Sequence, residues 1–339
     1  MVLMNTVNNF VRDNWRKAVR DFQKPEINRS IWQLVNTSVL YIILWGLMVY
    51  SLNYAYWITI LLAIPAAGMM VRLFIIFHDC GHGSFFTSSK ANHWVGSIIG
   101  VFVFTPYYYW RQSHAVHHAT AGNLDKRGVG DVWTMTVEEY LGASPWQRFK
   151  YRVYRNPFVM FVLAPLLMFL FAHRIPLASF KKRERNSVHW TNLYLLIYIV
   201  VLSLLIGFKQ FVLIQIPILW IASAAGVWLF YIQHQFEGVY WDRSENWDFV
   251  KAGLEGSSFY QLPKVLQWFT GNIGFHHIHH LSPKIPNYKL EPCHTSTPIF
   301  QIKPITLLGS MKSLAFRLWD EKQRKLVGYH ALRIYSQGG

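Results

Sequence analysis

Histidine is the residue type to begin with. The chain has fifteen, and most fall in short clusters. His78 and His82 stand in HDCGH, His114, His117 and His118 in HAVHH, and His276, His277, His279 and His280 in HHIHH, with His234 alone after a long apolar stretch. On a helix, residues three or four apart share a face, so each cluster can aim its imidazoles at one point. His277 is out of that register and points elsewhere. Imidazole is a common ligand of iron, copper, zinc and nickel. With His234 there are nine rings, more than one ion accepts, and two ions with four or five ligands each use them all. Structural zinc favours four ligands with paired cysteines. The only cysteines, Cys80 and Cys293, form no CxxC pair. Copper and iron both remain open on ligand type. His93, His173, His189, His294 and His330 are isolated and read as ordinary hydrogen-bonded histidines.

The elements that position these clusters are apolar. Charged residues make up 15% of the 339-residue chain and hydrophobic ones 52%, whereas soluble domains carry about 25% charge. Residues 30–71 contain no charge at all, long enough for two spans of about 20 residues each. Residues 190–208 and 210–233 repeat the pattern on either side of Lys209. These runs predict four spans in two hairpins, near 32–52, 54–76, 190–208 and 211–233. Two shorter stretches, 94–110 and 156–172, carry Gly96, Gly100, Pro106, Pro157 and Pro165. Treating both as non-crossing puts every histidine cluster on one side. The basic loop Lys181, Lys182, Arg183, Arg185 makes that side cytoplasmic by the excess of Lys and Arg found there.

The expectation is an all-α membrane protein. Its cytoplasmic helical cap, residues 77–189 and 234–339, carries the metal site, and residues 1–339 form a single domain. The net charge of +16 fits loops facing anionic lipid and needs no nucleic acid. The Gly96/Gly100 spacing reads as tight local packing. A helix is expected over 307–326. In the N-terminal region, Phe10, Val11, Trp15, Val19 and Phe22 have the spacing of an interfacial helix or of a solvated tail.

Through HDCGHGSF, HAVHH, GDVW, QHQFE and HHIHHL, from about residue 72 to 281, the chain resembles the membrane fatty acid desaturases with their three histidine boxes, and within them the bacterial acyl-lipid branch related to delta-12 and omega-3 enzymes. The resemblance implies two iron ions (Fe), O2 as co-substrate, and two electrons from an outside carrier. It implies ligand roles for His78, His82, His114, His117, His118, His234, His276, His279 and His280. Asn272 loosely matches an asparagine that reaches the metal through water in related enzymes. The implied reaction puts a cis double bond into a fatty acyl lipid at the bacterial plasma membrane.

Metal-bound histidines usually hand their second nitrogen to a carboxylate or carbonyl, and Asp79, Asp125, Asp131 and Glu237 lie beside the boxes. At least two are expected to serve so. Tyr107, Tyr108, Tyr109, Trp110 and Trp133 read as interfacial anchors before they read as a substrate tunnel. No HPGG haem motif occurs, so the electrons come from a separate ferredoxin or cytochrome b5-type protein. The alternatives are a di-iron hydroxylase of alkane, sterol or carotenoid type and, in another class, a metal transporter or haem-binding membrane subunit.

Overall fold

The computed structural model describes residues 14–336; Phe10 and Val11 lie outside them. Four long helices organise the chain: α1 (Ile27–Ser51), α2 (Tyr56–His82), and, after a cap segment, two more. The cap segment supplies α3 (Ser89–Phe102), α4 (Tyr107–Thr120) and α5 (Pro145–Tyr154). The second hairpin is α6 (Lys182–Ile206) and α7 (Phe208–His234). The C-terminal cap holds the short α8 (His276–Leu281) and α9 (Asn287–Ser296). The four long helices have 25 or 27 residues. At about 1.5 Å per residue this exceeds the roughly 30 Å of hydrocarbon in a bilayer.

The long helix α2 is central, packed on α1, α7 and α3. Met69, Met70, Leu73, Ile76 and Phe77 bury there against Ile214, Ile218 and Leu219 of α7. Outward faces are apolar and exposed, with Ile42, Leu61, Ile64, Leu196 and Leu204 among them. A continuous apolar exterior of this kind calls for lipid as its solvent. Residues 94–110 do not form one helix. The chain breaks at Phe104, whose φ is +55°, and α3 and α4 are 14 residues each, too short to cross alone. A Cβ at Gly96 would lie 2.2 Å from the Tyr107 ring, and one at Gly100 would lie 2.6 Å from the Thr105 carbonyl. That glycine pair packs α3 onto the start of α4. Residues 159–174 run on from α5 with a bend of 57°, beginning as a π-helical turn at Val159–Leu163.

Two expectations need correction. No long helix covers 307–326. A single turn at Leu307–Ser310 and a 3-10 turn at Met311–Ala315 lead into an antiparallel hairpin, Leu318–Asp320 with Lys325–Val327. The polar run from Glu321 to Arg324 makes its turn, with Arg324 at φ +50°. The buried Trp319 stacks on Trp241, a tertiary contact that overrides the helix-like spacing of the preceding leucines. At the other end, Trp15 and Val19 are neither lipid-facing nor solvated; they bury against Phe275, Ile278 and Leu281 beneath the third histidine cluster.

Candidate metal centre

Each histidine arrives on a defined helix end. The α2 helix stops directly after His82 because Gly83 adopts the left-handed conformation, φ +70°, and its N–H closes on the carbonyls of Asp79 and Cys80. This is the usual glycine terminator. His114, His117 and His118 sit on α4, and His234 is the last residue of α7. The α8 helix has only six residues, all buried. So short a helix has little stability of its own. It is fixed by Phe275, Ile278 and Leu281 in the core below it. The chain enters it through Gly274, where a Cβ would fall 2.3 Å from the Tyr260 carbonyl.

The nine histidines meet in two groups. His78, His82, His114, His118 and His279 form one; His117, His234, His276 and His280 form the other. Within each, one ring nitrogen per residue lies within 4.8 Å of all the others. The clusters therefore do not each aim at one point, as the spacing suggested. The second and third are both split, by a simple rule. Pairs four apart (78/82, 114/118, 276/280) stay together, and the residue three along (His117) or three along from His276 (His279) turns to the other group. At about 100° per residue, i+4 returns to within about 40° of its start, while i+3 and i+4 diverge by about 100°. One helix can thus serve two neighbouring sites.

The ring nitrogens show that these groups are built for cations. His117 Nδ1 lies 2.6 Å from Asp131 Oδ1, and His234 Nδ1 lies 3.2 Å from the Gly256 carbonyl oxygen. Both partners are acceptors, so both rings carry their proton on Nδ1. Their Nε2 atoms then present bare lone pairs to each other at 3.0 Å, with His276 Nε2 3.1 Å from that of His234. In the first group His118 Nε2 is 3.1 Å from both His114 Nε2 and His279 Nε2. The Nε2 atoms of His82 and His280 are buried with no hydrogen-bond partner. Buried polar atoms are nearly always paired, and facing lone pairs repel; a cation at each centre relieves both. Burial, then the neighbouring imidazoles, pushes His114, His118, His276, His279 and His280 well below the ordinary 6.5. The rings stay neutral, the form that binds metal.

Of the residues expected behind the histidines, two are there. Asp79 Oδ1 is 3.1 Å from His78 Nδ1, and Asp79 Oδ2 accepts from the backbone and side-chain nitrogens of Asn287 at 2.7 and 2.8 Å. Asp131 holds His117. Asp125 instead pairs with Arg243 at 2.6 Å. The Glu237 side chain is 79% exposed, with Lys312 3.9 Å away. Asn272 bonds Gln267 and the Asn287 carbonyl rather than a histidine. His277 sits apart as expected, 3.0 Å from the Phe300 carbonyl, and His93, His173, His189, His294 and His330 belong to neither group.

The Gly256 carbonyl and Asn287 carry no pattern that sequence could offer. Trp110, read as an anchor, stacks on His114 at 4.4 Å; its place one turn before that histidine was the available signal. Tyr107 is buried too, donating to the Cys80 carbonyl at 2.7 Å. A narrow pocket past Arg127, Asp131, Phe230 and Trp241 leads to His117 and His234.

Residues 54–298 match the family described as fatty acid desaturase. The chain belongs to that family. It is 48% identical over 318 residues to a fatty acid desaturase of Bacillus subtilis (strain 168), covering 94% of this chain and 90% of the relative. Two Synechocystis proteins are more distant. The sn-1 acyl-lipid omega-3 desaturase (ferredoxin) is 28% identical over 64% of this chain and 61% of its own length. The sn-1 oleoyl-lipid 12-desaturase is 27% identical over 66% and 63%. This fatty acid desaturase is an O2-dependent oxidoreductase acting on acyl chains at its histidine-box centre. Among the described residues the nine boxed histidines gather as groups of five and four, not as the single opposed pair that a haem takes.

Proposed function

We propose that the desaturase holds two iron ions, one among His78, His82, His114, His118 and His279 and the other among His117, His234, His276 and His280. It would use them to form a cis double bond in an acyl chain carried by a membrane lipid, the chain acting as one domain with its site on the cytoplasmic face. The observation that carries this is the gathering of nine ring nitrogens into two adjacent groups with lone pairs facing inward. Iron bound there supplies the activation of O2 that removing hydrogen from an unactivated methylene needs. The balance is fixed by chemistry. One hydrogen leaves each of two adjacent methylenes, O2 is reduced to two waters, and two electrons and two protons come from outside.

The protein's own groups orient and exclude. Asp131, Asp79 and the Gly256 carbonyl hold the protons of His117, His78 and His234 on Nδ1, keeping Nε2 free for the metal. Trp110, with Phe74 and Phe77 against it, gives the first group an apolar wall that keeps water from the reacting carbons. The basic stretch Lys181–Arg185, which the structure makes the cap and first turn of α6 rather than a loop, supports the cytoplasmic assignment. For the electrons, the Synechocystis omega-3 relative is named with ferredoxin. The +16 charge of this chain favours an acidic carrier of ferredoxin or cytochrome b5 type. Expression in a host of known lipid composition, with gas chromatography of its acyl chains, tests the reading. New cis-unsaturated chains support it, and hydroxylated chains in their place overturn it.

A further inference from the structure

A polar cavity of about 360 Å³ opens between the start of α1, the middle of α2 and α9, away from the histidines. Its central feature is Arg72, a charge inside a membrane-crossing helix and only 8% exposed. Arg72 donates through Nε to Thr37 Oγ1 at 3.1 Å and through Nη1 to the Trp268 carbonyl, and its guanidinium lies 4.4 Å over the Trp268 ring. All three partners are uncharged. Among the described residues no carboxylate lies within ion-pair distance of it. A buried cation without an anion is costly, and an ionisable group in a span points to function.

The surroundings repeat the sign. Arg29 and Lys264 line the same cavity; its one lining carboxylate, Glu291, is engaged by Lys264 and Gln267, and Glu26 stands 3.9 Å from Arg29 at the half-exposed rim. The wall contributed by α1 is unusual for a span. Arg29, Trp32, Gln33 and Asn36 line the cavity, and behind them Ser30, Gln33 and Thr37 form a buried polar stripe at helical spacing. Gln33 is 4% exposed; its Nε2 donates to Asn287 Oδ1 at 2.9 Å, while its Oε1 is buried and unpartnered. From Arg29 to Asn36 is about 10 Å along the axis, so the cavity runs inward from the start of the first span. Trp32, 69% exposed at its mouth, is the kind of residue that settles at the headgroup level.

We infer that this cavity is a binding site for the phosphodiester of a membrane glycerophospholipid, with Arg72 and Arg29 on the phosphate and the unpartnered Gln33 oxygen accepting from a headgroup or glycerol hydroxyl or ammonium. A lipid phosphate enters from the side on which the cavity opens and brings the anion Arg72 lacks. The site is independent of which acyl chain is desaturated. It does touch the metal centre indirectly, since Asn287 receives Gln33 on one side and holds Asp79 on the other.

The test uses the full-length protein, delipidated in detergent, with binding read by native mass spectrometry. The probes are phosphatidylglycerol, a diacylglycerol with the same acyl chains, and inorganic phosphate. One phosphatidylglycerol per chain is expected to bind at least about tenfold more tightly than the diacylglycerol, the scale of one charge-assisted hydrogen bond. Arg72→Gln should abolish that preference, and Arg29→Gln with Lys264→Gln, which alters only the rim, should reduce it severalfold. If Arg72→Gln does not fold, the rim variant decides. Equal retention of both lipids, or an undiminished preference in the rim variant, overturns the inference. Saturable binding of inorganic phosphate without a preference for phosphatidylglycerol overturns the lipid source as well.

Discussion

Replacing Asp131 by asparagine keeps the shape of the contact to His117 and removes its charge. The wild-type bond is 2.6 Å, between a carboxylate and a buried ring. Hydrogen bonds to charged groups contribute roughly 1.5–3 kcal/mol and neutral ones roughly 0.5–1.5. The loss is therefore about 1–2 kcal/mol of metal binding, or roughly fivefold to thirtyfold in affinity, close to what outer-shell carboxylates usually supply. It should fall on one ion only, the one His117 shares with His234, His276 and His280. The assay is a graded chelator challenge of the purified enzyme with metal per chain counted by mass spectrometry. Asp131→Asn should release its first ion at lower chelator concentration and its second as the parent does. Glu237→Gln and Asp125→Asn, whose side chains touch no histidine, should match the parent throughout. An Asp131→Asn variant that holds both ions as tightly as the parent refutes the orientation argument.

Other outcomes follow from the same contacts. His277→Ala should leave metal content unchanged, yet lower the melting temperature, because it removes a buried ring and one of two hydrogen bonds to the Phe300 carbonyl, which keeps the Ile302 N–H, at a cost of about 1–3 kcal/mol in packing and hydrogen bonding; lost metal would return His277 to the site. Gly96→Ala should destabilise by about 1–3 kcal/mol through overpacking on Tyr107, whereas Gly46→Ala, inside α1 with open space around it, should melt at or slightly above the parent. The metal-free protein should lose stability as pH falls below 6.5. His114, His118, His276, His279 and His280 have lowered folded-state values, so the unfolded chain takes up protons there that the folded one refuses. Melting curves of the chelated protein across pH check this, and a flat profile would contradict it.

Much of the site is legible in the sequence because its information is local. Spacing of four residues marks His78/His82, His114/His118 and His276/His280, spacing of three adds His117 and His279, and both set His277 aside. Charge-free runs locate the helices of both hairpins, since lipid tolerates so little else. What spacing does not carry is how distant helices share their side chains. The division of His117 from His114, and of His279 from His276, depends on where α7 and α8 stand around α4. The same holds for Asn287 behind Asp79 and the Gly256 carbonyl behind His234, which meet across the fold. Trp319 shows the opposite failure, where a strong local apolar pattern yields to a stacking partner, Trp241, nearly eighty residues away in sequence.

Anomalous diffraction from crystals of the purified protein, collected on both sides of the iron absorption edge, tests the central claim most directly. Two iron peaks are expected per chain, one enclosed by His78, His82, His114, His118 and His279 and the other by His117, His234, His276 and His280. A single peak shared by both groups, or signal at the zinc edge alone, would contradict it.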